Sequence, residues 1–62
     1  MREITTAPYK TMRVVYDDGI CKKQHYDSRN KNWKTVGYYR DYAEMMREYH
    51  KEVARNERLI RR

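Results

Sequence analysis

The chain predicts an α+β domain in which a three-stranded antiparallel sheet packs on one C-terminal helix (βββα). Three observations carry that reading. The runs TMRVVY and ICKKQHY flank DDG, a third β-rich run WKTVGYY comes after a polar turn, and from Asp41 onward apolar side chains recur at spacings of four and three.

Residues 1–8, MREITTAP, lack a clear period and end in the single proline, so they read as a flexible arm or a short edge strand ahead of one domain over residues 9–62. Asp18-Gly19 is the pair that a two-residue type I′ turn prefers, and such a turn fixes a register. Asp17 then faces Ile20, Tyr16 faces Cys21, Val14 faces Lys23 and Met12 faces His25. On the other parity Val15 meets Lys22, Arg13 meets Gln24 and Thr11 meets Tyr26. The Met12, Val14, Tyr16, Cys21 set makes the better core face, with Lys23 as its misfit, its stem buried and its charge reaching out at an edge.

DSRNKN is a turn by composition. In the next strand, alternation assigns Trp33 and Thr35 to the face away from Val36 and Tyr38, and Gly37 reads as a place where the strand bends or a helix crosses closely. Asp41 and Glu44 have the spacing of a capping box, opening a helix over about residues 41–60. Tyr42, Met46, Tyr49, Val53, Asn56 and Ile60 form one stripe, widened by Met45 and Leu59, while Glu48 and Glu52 can each pair with a base three residues on. Such a helix, roughly 30 Å long, outreaches a seven-residue strand of about 23 Å. Its last two turns, RNERLIRR, should overhang, either as a frayed, solvated basic tail or against a partner, in which case Val53, Asn56, Leu59 and Ile60 are the candidate homodimer contacts, with Asn56 setting register.

The 62 residues include few large aliphatics and no Phe, a core small enough that self-association or a ligand of the folded form would relieve it. The net charge is +6, with seven basic against three acidic side chains in residues 10–35 and six against three in residues 47–62, a distribution that suits a polyanion. A lone Cys21 and the lack of any long apolar run lead to the expectation of a reducing, intracellular protein with no membrane contact. The length and the initiating Met1 would fit a phage or mobile-element reading frame.

Catalytic chemistry finds no support. Both glycines have local geometric reasons, so no phosphate loop is present, and Ser28 lacks a His or acid at a telling distance. Cys21 and His25, four apart on a strand, are about 13 Å apart, too far to share a metal. The chain predicts no enzyme, no cofactor and no metal.

Within V-G-Y-Y-R-D-Y-A-E-M-M-R-E-Y, residues 36–49, the positions of Val36, Gly37, Tyr39, Asp41, Glu44 and Tyr49 resemble those of the Apetala and ethylene-response-factor type of DNA-binding domain, and integrase arm-binding domains look similar in outline. The likeness extends loosely over residues 9–53. It departs at Met45 and Met46, where that family prefers small Ala residues, at Lys34, where it has an apolar residue, and in the second strand, which lacks the Trp or Arg of the usual reading positions. The resemblance implies a sheet that lies against duplex DNA on the face carrying Trp33.

The parity of the hairpin independently gathers Arg13, Lys22, Gln24, Tyr26, Trp33 and Thr35 on one face, with Arg29, Lys31 and Lys34 in or beside the loop. Cations would hold phosphates while Gln24 and the rings touch bases. The expected function is noncatalytic nucleic-acid binding, double-stranded DNA ahead of RNA, with a homodimer as the candidate assembly. The alternative is a small phage-type accessory protein that binds and inhibits a host protein, or sequesters a phosphorylated nucleotide between subunits, as its Tyr, Met and Arg content would allow.

Overall fold

The computed structural model describes the backbone of residues 2–60 and the side chains of residues 2–56. Four strands, β1 (Arg2–Thr6), β2 (Met12–Asp17), β3 (Ile20–Asp27) and β4 (Asn32–Tyr39), form an antiparallel meander in the order β1-β2-β3-β4, and the helix α1 (Tyr42–Ile60) comes after them. The expected sheet had three strands; the fourth is the N-terminal segment. Ile4 lies opposite Val15 and Thr5 opposite Val14, so β1 covers an edge of β2 that would otherwise be open. Its connection to β2 is a tight turn in which the Lys10 N–H donates to the Ala7 carbonyl (2.9 Å), with Pro8 at the position that needs no N–H. Lys10 then takes a left-handed conformation (φ 62°), and the Ala7 N–H donates to the Met12 carbonyl (2.9 Å).

The β2–β3 hairpin has the register its turn dictates, from Asp17 opposite Ile20 to Met12 opposite His25, and Asp18 (φ 50°) and Gly19 (φ 81°) carry the two positive φ values of a type I′ turn. Thr11 lies just beyond, where its carbonyl accepts from the Tyr26 N–H (3.0 Å).

Simple alternation fails in β4. Lys23 pairs with Gly37 but Gln24 pairs with Thr35, which leaves Val36 as the extra residue of a β-bulge. The bulge exchanges the parity of the residues beyond it. Gly37 and Tyr39 turn toward the helix, and Tyr38, which alternation assigned to the face away from Trp33, lies opposite Lys22 on the open face with 71% of its surface exposed. Gly37 does not admit a close helix crossing either: a Cβ there would meet nothing within 4 Å, and the floor it leaves belongs to an open cleft of about 390 Å³ bordered by Tyr39, Lys51 and Arg55.

Asp41 caps α1, its carboxylate accepting from the Glu44 N–H (2.8 Å) and its carbonyl from the Met45 N–H (3.0 Å). Glu44 reaches back to the Arg40 N–H (2.6 Å), one residue earlier than in the usual reciprocal box. The core is Ala7, Met12, Val14, Cys21, Met45 and Tyr49, bordered by Tyr9, Tyr16, Tyr39, Met46 and Val53. Met45, expected only to widen the stripe, is its most buried helical member, whereas Tyr42 lies at the margin edge-to-face with Tyr16 (5.3 Å).

In a core this thin most large rings lie at its margin and even the buried Tyr49 reaches a polar partner, which suits tyrosine in place of phenylalanine. The Tyr49 hydroxyl donates to the Thr6 carbonyl (3.2 Å), the Tyr42 hydroxyl to the Glu3 carboxylate (2.8 Å), and the Tyr9 hydroxyl accepts from Asn56 Nδ2 (3.0 Å). Asn56 and half-buried Val53, both expected at a partner's surface, thus meet their own chain, Asn56 at the β1–β2 turn and Val53 against the core; the side chains of Leu59 and Ile60 lie outside the described residues. Glu48 pairs with Lys51 (3.5 Å) as its spacing predicts, but Glu52 bypasses Arg55 and holds Lys23 on β3 (2.5 Å). That bond ties the helix to the sheet beyond the apolar core and resolves the misfit cation of the core face.

Candidate nucleic-acid interface

The helix covers one face of the sheet, and the other is open. Pairing assigns to the open face Arg2, Ile4 and Thr6 from β1, Arg13, Val15 and Asp17 from β2, Ile20, Lys22, Gln24 and Tyr26 from β3, and Trp33, Thr35 and Tyr38 from β4. No helix lies over Val15, yet it is fully buried, which requires that side chains flanking it on the face cover it. Long side chains here do structural work as well as presenting polar groups to water.

Five of the expected residues form one connected cluster. Arg13 Nε donates to Gln24 Oε1 (2.7 Å), and Gln24 Nε2 donates to Thr35 Oγ1 (3.1 Å), a relay that joins β2, β3 and β4. The Arg13 guanidinium lies 4.4 Å from the centre of the Trp33 ring, and Tyr26 meets that ring edge-on at 5.4 Å. Burial, and after it the charge of Arg2, push the Arg13 guanidinium below its ordinary value, but an arginine remains a cation in protein. Gln24 is only 8% exposed. Expected to touch base edges, it has both ends of its amide engaged within the face and acts to position Arg13 and Thr35.

Lys22 lies on the same face opposite Tyr38. Arg29 and Lys31 occupy the β3–β4 turn, beyond the Tyr26–Trp33 pair, and both are exposed. The turn is built by Asp27, which accepts from the Arg29 N–H (3.0 Å) and from Asn30 Nδ2 (2.9 Å), while Lys31 takes φ 54°. Lys34 departs from the expected set. Pairing with His25 turns it to the helix side of the sheet, where it forms an ion pair with Asp27 (3.0 Å). That ammonium, first, and then Asn30 hold the Asp27 carboxyl well below the usual range, at about 2.

Some members of the face were not legible in the pattern of β-rich runs. Tyr38 arrives through the bulge, for which a glycine inside a strand was the available signal. Ile4 arrives with β1 and is exposed beside Val15. Among the described residues no three His, Cys, Asp or Glu side chains converge as metal ligands would, and no helix is long and apolar enough to cross a membrane. The chain is thus a small α+β domain, one four-stranded antiparallel sheet with one helix on one face. Compared with protein-family models, curated proteins and solved structures, it matches none.

Proposed function

We propose that the protein binds nucleic acid without catalysis, through the open face of its sheet. The observation that supports this most is the ordered cluster of Arg13, Trp33 and Tyr26, a cation and two rings held in place by Gln24 on a face that no other element among the described residues covers. Lys22 at one end and Arg29 and Lys31 at the other give that cluster cations along its length, and the net charge of +6 favours a polyanion. In this reading the cations hold phosphates and the rings meet bases.

Fluorescence polarisation with labelled oligonucleotides, single-stranded and annealed, across a salt series tests it. About four phosphate contacts would give a slope of log K against log salt of roughly −3. Lys22→Ala and Lys31→Ala should each weaken all sequences alike and make the slope shallower by about 0.7 to 0.9. Polarisation that stays flat at low salt for every oligonucleotide refutes the reading.

A second reading, capture of a protein partner, draws on the exposed apolar side chains Ile4, Ile20, Val36 and Tyr38. A stoichiometric protein that copurifies from nuclease-treated lysate, together with no oligonucleotide binding, would favour it.

A further inference from the structure

The open face contains groups that read base edges and groups that stack on base faces, and the structure treats the two differently. Reading a duplex in its major groove takes side-chain amides, guanidinia or hydroxyls directed outward. Here the amide of Gln24 is buried, its oxygen accepting from Arg13 and its nitrogen donating to Thr35. The Arg13 guanidinium is turned onto that amide and onto the Trp33 ring. What projects from the face is the Tyr38 ring, with Tyr26 also exposed at the far end beside Trp33.

A stacked duplex presents base faces only at its ends. An unpaired strand presents them throughout, and base–aromatic stacking tolerates any sequence. We propose that the ligand of this face is a single-stranded nucleic acid whose unpaired bases stack on Tyr38 and on the Tyr26–Trp33 pair. The proposal rests on the nucleic-acid reading above and specifies its strand class. The two stacking positions are separated by the run from Lys22 to Tyr26, which is about 13 Å along β3, a distance for an extended strand to cross. Thr35 lies between them, exposed, its hydroxyl accepting from Gln24 and still able to donate outward. Lys22 at one end and Arg29 and Lys31 at the other would carry the backbone. The bulge at Val36 is the element that makes this arrangement, since without it Tyr38 would face the helix.

The test is fluorescence polarisation of the whole protein with labelled oligothymidine, labelled oligouridine, and each strand annealed to its complement, at low salt. Either single strand should bind at least about tenfold tighter than its duplex, the two arms distinguishing DNA from RNA. Tyr38→Ala, at an exposed position that leaves the fold intact, should weaken single-strand binding by about five- to one-hundred-fold, the effect of removing one stacking ring. Tyr38→Phe, which retains the ring, should bind within about twofold of the parent. Duplex binding as tight as single-strand binding, or a Tyr38→Ala variant that binds single strands like the parent, overturns the strand-class inference while the broader reading stands. Absence of binding to all four probes rejects both.

Discussion

Replacing Gln24 with Ala probes the face where its order originates. The substitution removes a hydrogen bond from a charged donor, Arg13 Nε at 2.7 Å, and a neutral one to Thr35 Oγ1 at 3.1 Å. Bonds of the first kind contribute about 1.5–3 kcal/mol and of the second about 0.5–1.5 kcal/mol. The face is open, so Arg13 and Thr35 recover water once the amide is gone, and the loss falls at the lower end, about 2 kcal/mol. For a domain of this size each kcal/mol moves the melting temperature by roughly 4–8 °C, so Gln24→Ala should melt roughly 8–16 °C below the parent in far-UV circular dichroism. Trp33 emission should also change as the guanidinium above the ring loosens. Gln24→Glu keeps the acceptor for Arg13 and should melt close to the parent. A Gln24→Ala melting curve that overlays the parent's would show that the relay does not order the face, and equal destabilisation by Ala and Glu would show that its acceptor oxygen is not what matters.

Three other sites give outcomes of their own. Gly37→Ala should raise stability by about 0.4–1 kcal/mol in a urea titration, because a Cβ meets open space there and alanine narrows the unfolded ensemble; a loss would mean that the strand needs the glycine conformation. Asp27 titrates at about 2 when folded against an ordinary 3.8, so between those values the unfolded chain takes up the proton first. Stability should therefore decline as pH falls through that window, and Asp27→Asn should flatten this acid limb; an unchanged limb in the variant would assign the effect to other carboxylates. Cys21 is buried, and burial, then Asp41 and Glu44, push its thiol upward, so an aromatic disulfide reagent should label it only as fast as the chain opens. An immediate stoichiometric burst of labelling would contradict that placement.

The parts of the fold that local chemistry controls were legible along the chain. Asp18-Gly19 accepts two successive positive φ values, and with the turn length settled the whole β2–β3 register is determined, including the neighbours Arg13 and Gln24. Asp41 and Glu44 mark the start of the helix because orphaned N–H groups need acceptors at that spacing. The sheet's extent was legible only as one of two alternatives: residues 1–8 read as a flexible arm or a short edge strand, and the β2 edge that β1 covers decides between them. Position in the helical stripe likewise did not rank burial: Met45 reaches the centre of the core while Tyr42 lies at its rim. The helix-to-sheet bond of Lys23 and Glu52 joins positions 29 apart, beyond the reach of any local spacing rule.

For the candidate site the division is the same. Side-chain parity along β2 and β3, a property of the chain itself, brought Arg13, Lys22, Gln24 and Tyr26 to one face and pointed to a polyanion. Whether those groups look outward or hold one another depended on the third dimension. Gln24 became an internal bridge because Arg13 and Thr35 approach it from both sides, and Tyr38 joined the open face because a bulge is a mismatch between two strands, which neither strand's sequence expresses alone. Turn and cap chemistry act over three or four residues and can be read along the chain, whereas burial and the parity beyond a bulge exist only once distant segments meet.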